Sequence, residues 1–273
     1  MQRSLSEICL ETRLNVLKVA KSANKGHIGS ALSICEIVVA VLASSSGIGT
    51  QENNRTRIVL SKGHASLAYY SALKEFGIIS EKELWSYCVN GSKFGTHPDA
   101  AQTGTDFMTG SLGQGIGFGV GCAMASKFLN RLNQTFVVLS DSELNEGSTW
   151  ESLYLAGHNK LNSLVVVLDL NGQQAMGKTK DVMQLEGLPD SLEKVGWNIL
   201  NVDGHDVESL VRAIERNLDD GTKPLLVIAE TTAGKGVSFM EGKVEGHYLP
   251  QTDAQHHQAL GEVMELLMKV REK

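Results

Sequence analysis

The chain contains 273 residues, of which 42% are hydrophobic and 21% charged, a composition typical of a globular protein with one large α/β domain or two smaller ones. Its net charge of -6 and the lack of a Lys/Arg stripe argue against a nucleic-acid partner, because phosphate binding needs a basic surface. The sequence shows no apolar run near the ~20 residues that span a bilayer, no signal-peptide core and no CxxC pair. We therefore expect a cytoplasmic protein without a membrane or nucleic-acid partner.

Taken in chain order, apolar segments of two kinds alternate. Patterns with the period of a helix cover residues 4–23, 33–44, 65–76, 112–130, 149–160, 206–219 and 253–271. Between them lie nearly continuous apolar runs that suit strands buried on both faces, at 57–61, 135–140, 163–170, 198–202 and 224–230. This alternation predicts an α/β fold with a mostly parallel, doubly wound sheet and helices on both faces.

The stretch GSLGQGIGFGVGCAMASK, which starts at Gly110, is unusually rich in glycine for a helix. Gly113, Gly117, Gly121 and Ala125 follow each other at i, i+4 spacing, so one side of the helix has almost no side chains. We expect some other group to approach that side closely. Tight packing within the chain explains this pattern, and an alternative is that the exposed N–H groups at the helix start bind a phosphate.

Acidic residues follow the predicted strand 135–140 directly, at Asp141, Glu143 and Glu146. Such closely spaced carboxylates indicate either a metal site or a solvated loop, because like charges repel unless a cation or hydrogen bonds offset them. Asn171 follows the next strand, and the carboxyl ends of parallel neighbours meet at one edge of a sheet. Hard oxygen ligands at that edge favour Mg²⁺ or Ca²⁺, and Mg²⁺ commonly completes its shell with phosphates.

Six motifs carry a family resemblance. They are NKGHIGSALS, LSKGHAS, FGTHPD, TGSLGQGIGFGVG, DSELNEGSTWE and LNGQQAMGKT, and together they span nearly the whole chain. In content, order and spacing they resemble the N-terminal, thiamine-diphosphate-binding half of a transketolase. The resemblance implies a single diphosphate-binding domain over residues 1–273, and the match in length to this half implies a split transketolase.

The resemblance also implies a metal site and a cofactor site. Asp141, Asn171 and the main-chain carbonyl of Gln173 are expected to bind the divalent cation, Mg²⁺ or Ca²⁺, that holds the diphosphate. The other residues expected at the thiamine diphosphate are His64, Ser111, Leu112, Gly113, Ser142 through its backbone, and Glu146.

Three further histidines, His27, His97 and His247, match family histidines around the C1 and C2 oxygens of the substrate. An imidazole titrates near neutrality and can exchange protons with a ketose hydroxyl or a developing alkoxide. Considered alone, a Gly-His pair is more often a turn or a satisfied core histidine. His247 is the weakest of the three matches, because the family usually reads His-Gly where this chain reads GHYLP.

Three acids have competing interpretations. Glu146 matches a family glutamate at the subunit interface, where it hydrogen-bonds towards the partner's cofactor-activating glutamate, and the alternative is a surface acid. Glu143 is interpreted as structural or solvated. Asp169 ends a strand and is interpreted as a cap of the following turn.

The chain departs from the family at two places. The family's GDG triplet is Ser140-Asp141-Ser142 here, and a glycine-like backbone angle at Ser142 would cause strain. Ala175 and Met176 stand where the family commonly has a bulky aliphatic residue and an aspartate. These two changes favour an altered substrate preference, with weakened cofactor binding as the alternative.

The function implied by the resemblance is transfer of a two-carbon ketol unit from a ketose, such as a ketose phosphate, to an aldehyde acceptor. The glutamate that activates the cofactor belongs to the family's following domain. The chain should therefore need a partner, the C-terminal transketolase subunit, in an α2β2 assembly. Two alternatives stay open: a specialised ketol or acyl transferase acting on an unusual sugar or carrier-bound acceptor, and a noncatalytic assembly subunit.

Overall fold

The computed structural model describes residues 3–243 and 249–272 of the chain. Its strands are β1 (Arg57–Leu60), β2 (Thr135–Ser140), β3 (Leu164–Leu170), β4 (Gln173–Gln174), β5 (Gly177–Lys178), β6 (Asn198–Asp203) and β7 (Leu225–Glu230). Its α-helices are α1 (Leu5–Ala23), α2 (Ile28–Ser33), α3 (Cys35–Ala43), α4 (Ser66–Glu75), α5 (Glu81–Trp85), α6 (Gln114–Phe128), α7 (Gly147–His158), α8 (Thr179–Val182), α9 (Leu188–Lys194), α10 (Val207–Asp220) and α11 (Asp253–Arg271). Short 3₁₀ helices cover Gly63–Ala65 and Asp141–Asn145.

Five strands form one sheet in the order β1-β2-β3-β7-β6, and every neighbouring pair is parallel. β4 and β5 form a separate two-stranded antiparallel hairpin. In the central pair, Ser140 of β2 lies opposite Asp169 of β3. The residues that follow these two strands therefore emerge side by side at one edge of the sheet, as predicted.

Each central strand is buried on both faces, because successive side chains point to opposite sides. Phe136 and Val138 belong to one apolar core, which is completed by residues of α1, α3, α4, α10 and α11. Val137 and Leu139 belong to the other, with residues of α6, α7 and α9. Helices therefore cover both faces, and the predicted doubly wound α/β class is confirmed.

All five predicted strands are present, with ends within a residue of the prediction. The helix predicted over 33–44 begins earlier and is divided into α2 and α3 at Ile34, whose φ of -109° and ψ of 12° leave the helical region. The short helices α5, α8 and α9 and the hairpin β4–β5 were not predicted. They are too short to show a hydrophobic period.

The glycines of α6 pack differently from the prediction. A Cβ added to Gly119 would lie 2.3 Å from Cγ2 of Val137, and one added to Gly115 would lie 2.8 Å from Cα of Ser61, so these two glycines face the sheet. At Gly117 the nearest atom is Ser152 Oγ at 3.5 Å, and at Gly121 nothing lies within 4 Å among the described residues. Packing among the described residues therefore explains close approach at Gly113, where an added Cβ would lie 2.7 Å from Glu146 Cβ, but not at Gly117 or Gly121.

Within residues 3–243 and 249–272, no helix is both long enough and apolar enough to cross a membrane.

Candidate active site

The carboxyl ends of β2 and β3 carry a buried acid, Asp141. Its side chain is 1% exposed and accepts a hydrogen bond from Thr179 Oγ1. The pKa of the Asp141 carboxyl is raised from 3.8 to about 6, chiefly by burial and also by the nearby Asp169 carboxylate, against the lowering effect of the Thr179 hydrogen bond. The Asp141 carboxylate is thus held in a place where a negative charge is costly and a cation would stabilise it.

Asp169 lies at the centre of a buried polar network. It pairs with Lys62, and the two side chains are 0% and 1% exposed. Hydroxyl groups of Ser33 and Thr231 also donate to its Oδ1. The interpretation of Asp169 as a cap of the following turn describes only part of its role, because its oxygens accept from Asn171 of that turn and also from side chains of other elements.

Asn171 is positioned by this network. Its Nδ2 donates to Asp169 Oδ2 over 3.0 Å and to Ser33 Oγ over 3.3 Å, and its Oδ1 accepts from the N–H of Gln173 over 2.9 Å. The side-chain oxygen of Asn171 is thereby turned towards the start of the β4–β5 hairpin. A carboxylate, an amide oxygen and a main-chain carbonyl are ligands that suit a hard divalent cation, so Asp141 and its neighbours fit the group that the resemblance implies.

Glu143 has a structural role, which is one of the two interpretations that the sequence left open. It is fully buried, and its carboxylate accepts hydrogen bonds from Ser61 Oγ, from Ser140 N and Oγ, and from Gly113 N over 3.1 Å. Burial raises the pKa of the Glu143 carboxyl, and these donors oppose that rise. Glu143 therefore joins the start of α6 to the end of β2.

A cavity of about 360 Å³ opens beside this edge. It is lined by His27, His64, His97, Gly110, Leu112, Ser142, Asn145, Glu146, Gln174, Ala175 and Met176. Most of the predicted catalytic and cofactor-binding residues among those described are therefore in one place. A larger cavity of about 610 Å³ lies where β6 and β7 start, and its lining contains no histidine.

The three histidines come from different segments. His27 precedes α2 with a left-handed φ of 60°, His64 lies in the 3₁₀ helix after β1, and their ring centroids are 5.6 Å apart. His97 Nδ1 lies 3.2 Å from Thr96 Oγ1. A Cβ on Gly63 would lie 2.5 Å from Thr109 Oγ1 and 3.2 Å from the His97 ring, so this glycine leaves room for both residues. His247 lies outside the described residues.

Burial lowers the pKa values of His27 and His97, and the charge of His97 lowers that of His27 further. Both rings are therefore mainly neutral at pH 7, which leaves each with one nitrogen able to accept a proton and one able to donate.

The remaining predicted cofactor residues surround the start of α6. Ser111 is exposed, Leu112 lines the cavity, and Gly113 has a φ of 78° with no room for a side chain beside Glu146 and Ser148. Ser142 lies inside the 3₁₀ helix rather than in the left-handed region, so the strain expected there does not occur.

Comparison with known proteins agrees with this geometry. Residues 6–263 match the family model for the transketolase thiamine diphosphate binding domain. The chain belongs to the transketolase family. The predicted family and function are thereby confirmed: the chain corresponds to the N-terminal, thiamine-diphosphate-binding part of a transketolase, and members of this family are transferases.

Two curated relatives have similar length. The chain is 34% identical to a subunit of the apulose-4-phosphate transketolase of Phocaeicola vulgatus, over 96% of this chain and 95% of that one. It is 35% identical to a 6-deoxy-6-sulfo-D-fructose transketolase subunit of a Clostridium species, over 87% and 88%.

Longer transketolases match over less than half of their length. The crystal structure of the Campylobacter jejuni transketolase superposes with a TM-score of 0.88 at 30% identity, over 97% of this chain and 43% of that one. Human transketolase is 31% identical over 96% of this chain and 42% of its own.

Several site residues of this transketolase-family chain were not identified from sequence. Lys62 lies two positions before His64 in the LSKGHAS motif, and a lysine in an otherwise buried segment was the available signal. Thr179, Asn145 and Gln174 gave no comparable signal, because their roles come from contacts with residues 29 to 38 positions away.

Proposed function

We propose that the chain is the N-terminal subunit of a split transketolase that transfers a two-carbon ketol unit from a ketose to an aldehyde. The observation that carries the proposal is the buried Asp141 carboxylate at the end of β2, with Asn171 following the adjacent strand β3, next to a cavity lined by three histidines. Asp141, Asn171 and the carbonyl of Gln173 would hold Mg²⁺ or Ca²⁺. Thiamine diphosphate, once bound, supplies the carbanion chemistry of the transfer.

The chain's own side chains contribute orientation and proton handling. Leu112, Gly113 and the backbone of Ser142 would contact the cofactor, with Ser111 and His64 beside its diphosphate. Neutral His27 and His97 can donate to a carbonyl oxygen or accept a hydroxyl proton of the substrate, and His247 is proposed to assist them.

The proposed assembly contains a second chain. Relatives of this length are named as transketolase subunits, and the chain spans about 43% of a full-length transketolase. We propose a single domain over 1–273, a partner that is the C-terminal transketolase subunit in an α2β2 assembly, sugar substrates and a cytoplasmic location. Glu146, exposed at the cavity rim, would face the partner's cofactor-activating glutamate.

Calorimetric titration of thiamine diphosphate and Mg²⁺ into the chain assembled with its partner tests this proposal. We expect micromolar binding in the wild-type assembly and none in Asp141→Ala. A Glu151→Gln assembly serves as a control, because this acid of α7 is exposed and is not among the residues that line the cavity. Absence of binding in a correctly assembled wild-type complex would contradict the transferase proposal and favour a noncatalytic assembly subunit.

A specialised sugar substrate is a second candidate. The observation in its favour is that Ala175 and Met176 both line the cavity, and Met176 is 75% exposed there. The test is to measure the preference among ketose donors for the wild-type enzyme and for the Ala175→Ile and Met176→Asp variants. A change in donor preference is the expected result, and unchanged preference would exclude a role for these residues.

A further inference from the structure

Two amide side chains on the cavity wall pair with each other incompletely. Asn145 ends the 3₁₀ helix that starts at Asp141, and its Nδ2 donates to Gln174 Oε1 in β4 over 2.7 Å. Asn145 Oδ1 and Gln174 Nε2 are buried and have no hydrogen-bond partner among the described residues. Both residues line the same cavity as the histidines.

The presence of one unpaired oxygen and one unpaired N–H₂ group does not depend on how the two amides are oriented. If both amides were turned by 180°, Gln174 would donate to Asn145, and the two atoms left over would again be one N–H₂ group and one oxygen. If only one were turned, two donors or two acceptors would face each other and the observed bond would be lost. The pair therefore always leaves one donor and one acceptor.

Buried polar atoms in folded proteins nearly always have a partner, so each exception needs an explanation. Gln174 is 1% exposed, and solvent therefore supplies little compensation for its amide. The terminal torsions of Asn and Gln are broad. A group that enters the cavity can reach both atoms after a modest rotation of the amides.

We propose, on the basis of the proposed function, that Asn145 and Gln174 form a subsite for neighbouring hydroxyl groups of a sugar substrate. One hydroxyl donates to the amide oxygen, and its neighbour accepts from the amide N–H. A carrier-bound acyl thioester offers acceptors but no donor beside its carbonyl, so it leaves the amide oxygen unpaired. The pair thus selects a polyhydroxylated substrate over an acyl one.

The test uses D-glucitol 6-phosphate, which carries neighbouring hydroxyls and lacks the carbonyl needed for turnover. It is titrated by calorimetry into the assembly loaded with thiamine diphosphate and Mg²⁺. We expect the wild type to bind it at least about tenfold more tightly than Asn145→Leu/Gln174→Met, because two hydrogen bonds are lost. Propyl phosphate, which has no hydroxyl, should bind the two assemblies equally.

Equal dissociation constants for D-glucitol 6-phosphate, or no binding to the wild type, would overturn the subsite. Asn145→Ser is a second variant that retains a small polar side chain, and Gln51→Met is a control at an exposed amide outside the cavity. The single variant should weaken binding severalfold, whereas the control should not. If the wild-type assembly fails to bind thiamine diphosphate, the proposed function fails, whereas retained cofactor binding with equal polyol affinities refutes only the subsite.

Discussion

At the scale of single residues, the buried carboxyl of Asp141 lowers the folding stability of the protein when it is ionised. Its carboxyl has a pKa of about 6 in the folded chain, against 3.8 for an ordinary aspartate. Between these values the folded protein holds a proton that the unfolded chain has released. The contribution of this group to stability is therefore fully present below about pH 4 and is lost as the pH rises to about 6.

We accordingly predict that Asp141→Asn stabilises the metal-free protein above pH 6 and not at pH 4. The gain at pH 7.5 should be on the order of 3 kcal/mol, from the 1.36 kcal/mol that each pKa unit represents. Urea unfolding in the presence of a chelator, at pH 4, 5, 6 and 7.5, measures it. A difference between the two proteins that stays constant with pH would contradict the argument. Addition of Mg²⁺ with thiamine diphosphate should stabilise the wild type only.

A second prediction at this scale concerns the buried pair of Lys62 and Asp169. Removal of one member of such a pair leaves an uncompensated charge in the interior, so Lys62→Met should cost about 3–5 kcal/mol of unfolding free energy. Lys235→Met is the matched control, because Lys235 lies 3.8 Å from Glu241 and both side chains are 40% exposed. It should cost less than about 1 kcal/mol.

Urea denaturation of both variants gives the two values. Lys62→Met combined with Asp169→Asn should recover part of the loss, because the double change removes both charges. Equal losses in Lys62→Met and Lys235→Met would show that the Lys62–Asp169 pair contributes no more than a surface contact.

At the scale of elements, α6 provides a test of packing. Gly119→Ala places a methyl group 2.3 Å from Val137 Cγ2 and should destabilise the protein by about 1–3 kcal/mol. Gly121→Ala meets no atom within 4 Å among the described residues, so the higher helix propensity of alanine should stabilise it by about 0.5–1 kcal/mol. Thermal unfolding of both variants measures the two changes in stability, which we expect to have opposite signs. Destabilisation by Gly121→Ala would place another part of the molecule against that face.

The elements also show what sequence can predict. The strands were identifiable because a sheet buried on both faces needs continuous apolar runs such as SLVVVLDL at 163–170. The proximity of Asp141 and Asn171 followed from the parallel order of adjacent strands. In contrast, the break at Ile34 and the β4–β5 hairpin involve too few residues to form a pattern.

The site was also predictable only where the sequence contains a recognisable pattern. Asp141 and the histidines occur in motifs, whereas the partner of Lys62 lies 107 positions away and is set by tertiary structure alone. The identity of the glycines that face the sheet likewise depends on the rotation of α6 about its axis. A regular i, i+4 spacing gives no information about which side of a glycine-rich helix packs inwards.

At the scale of the whole molecule, the cofactor-activating glutamate implied by the family resemblance is expected on a second chain. The cavity beside Asp141 would then be only one wall of the complete active site. This arrangement explains why the histidines proposed for proton transfer and an exposed Met176 lie at the same open cavity. The two subunits should contribute to one cofactor site, with Glu146 at their boundary.

We therefore predict that ketol transfer by this chain alone is at background level and that addition of the partner restores it, saturating at one partner per chain. Transfer from fructose 6-phosphate to glycolaldehyde, with erythrose 4-phosphate as the measured product, provides the assay over a range of subunit ratios. Glu146→Gln should retain assembly but lower the maximal rate by at least about tenfold if this acid hydrogen-bonds to the partner's glutamate. Glu151→Gln, a change at an exposed acid in the second turn of α7, is the matched control and should have a smaller effect. Full activity of the isolated chain, or a Glu146→Gln assembly as active as the wild type, would contradict the shared site.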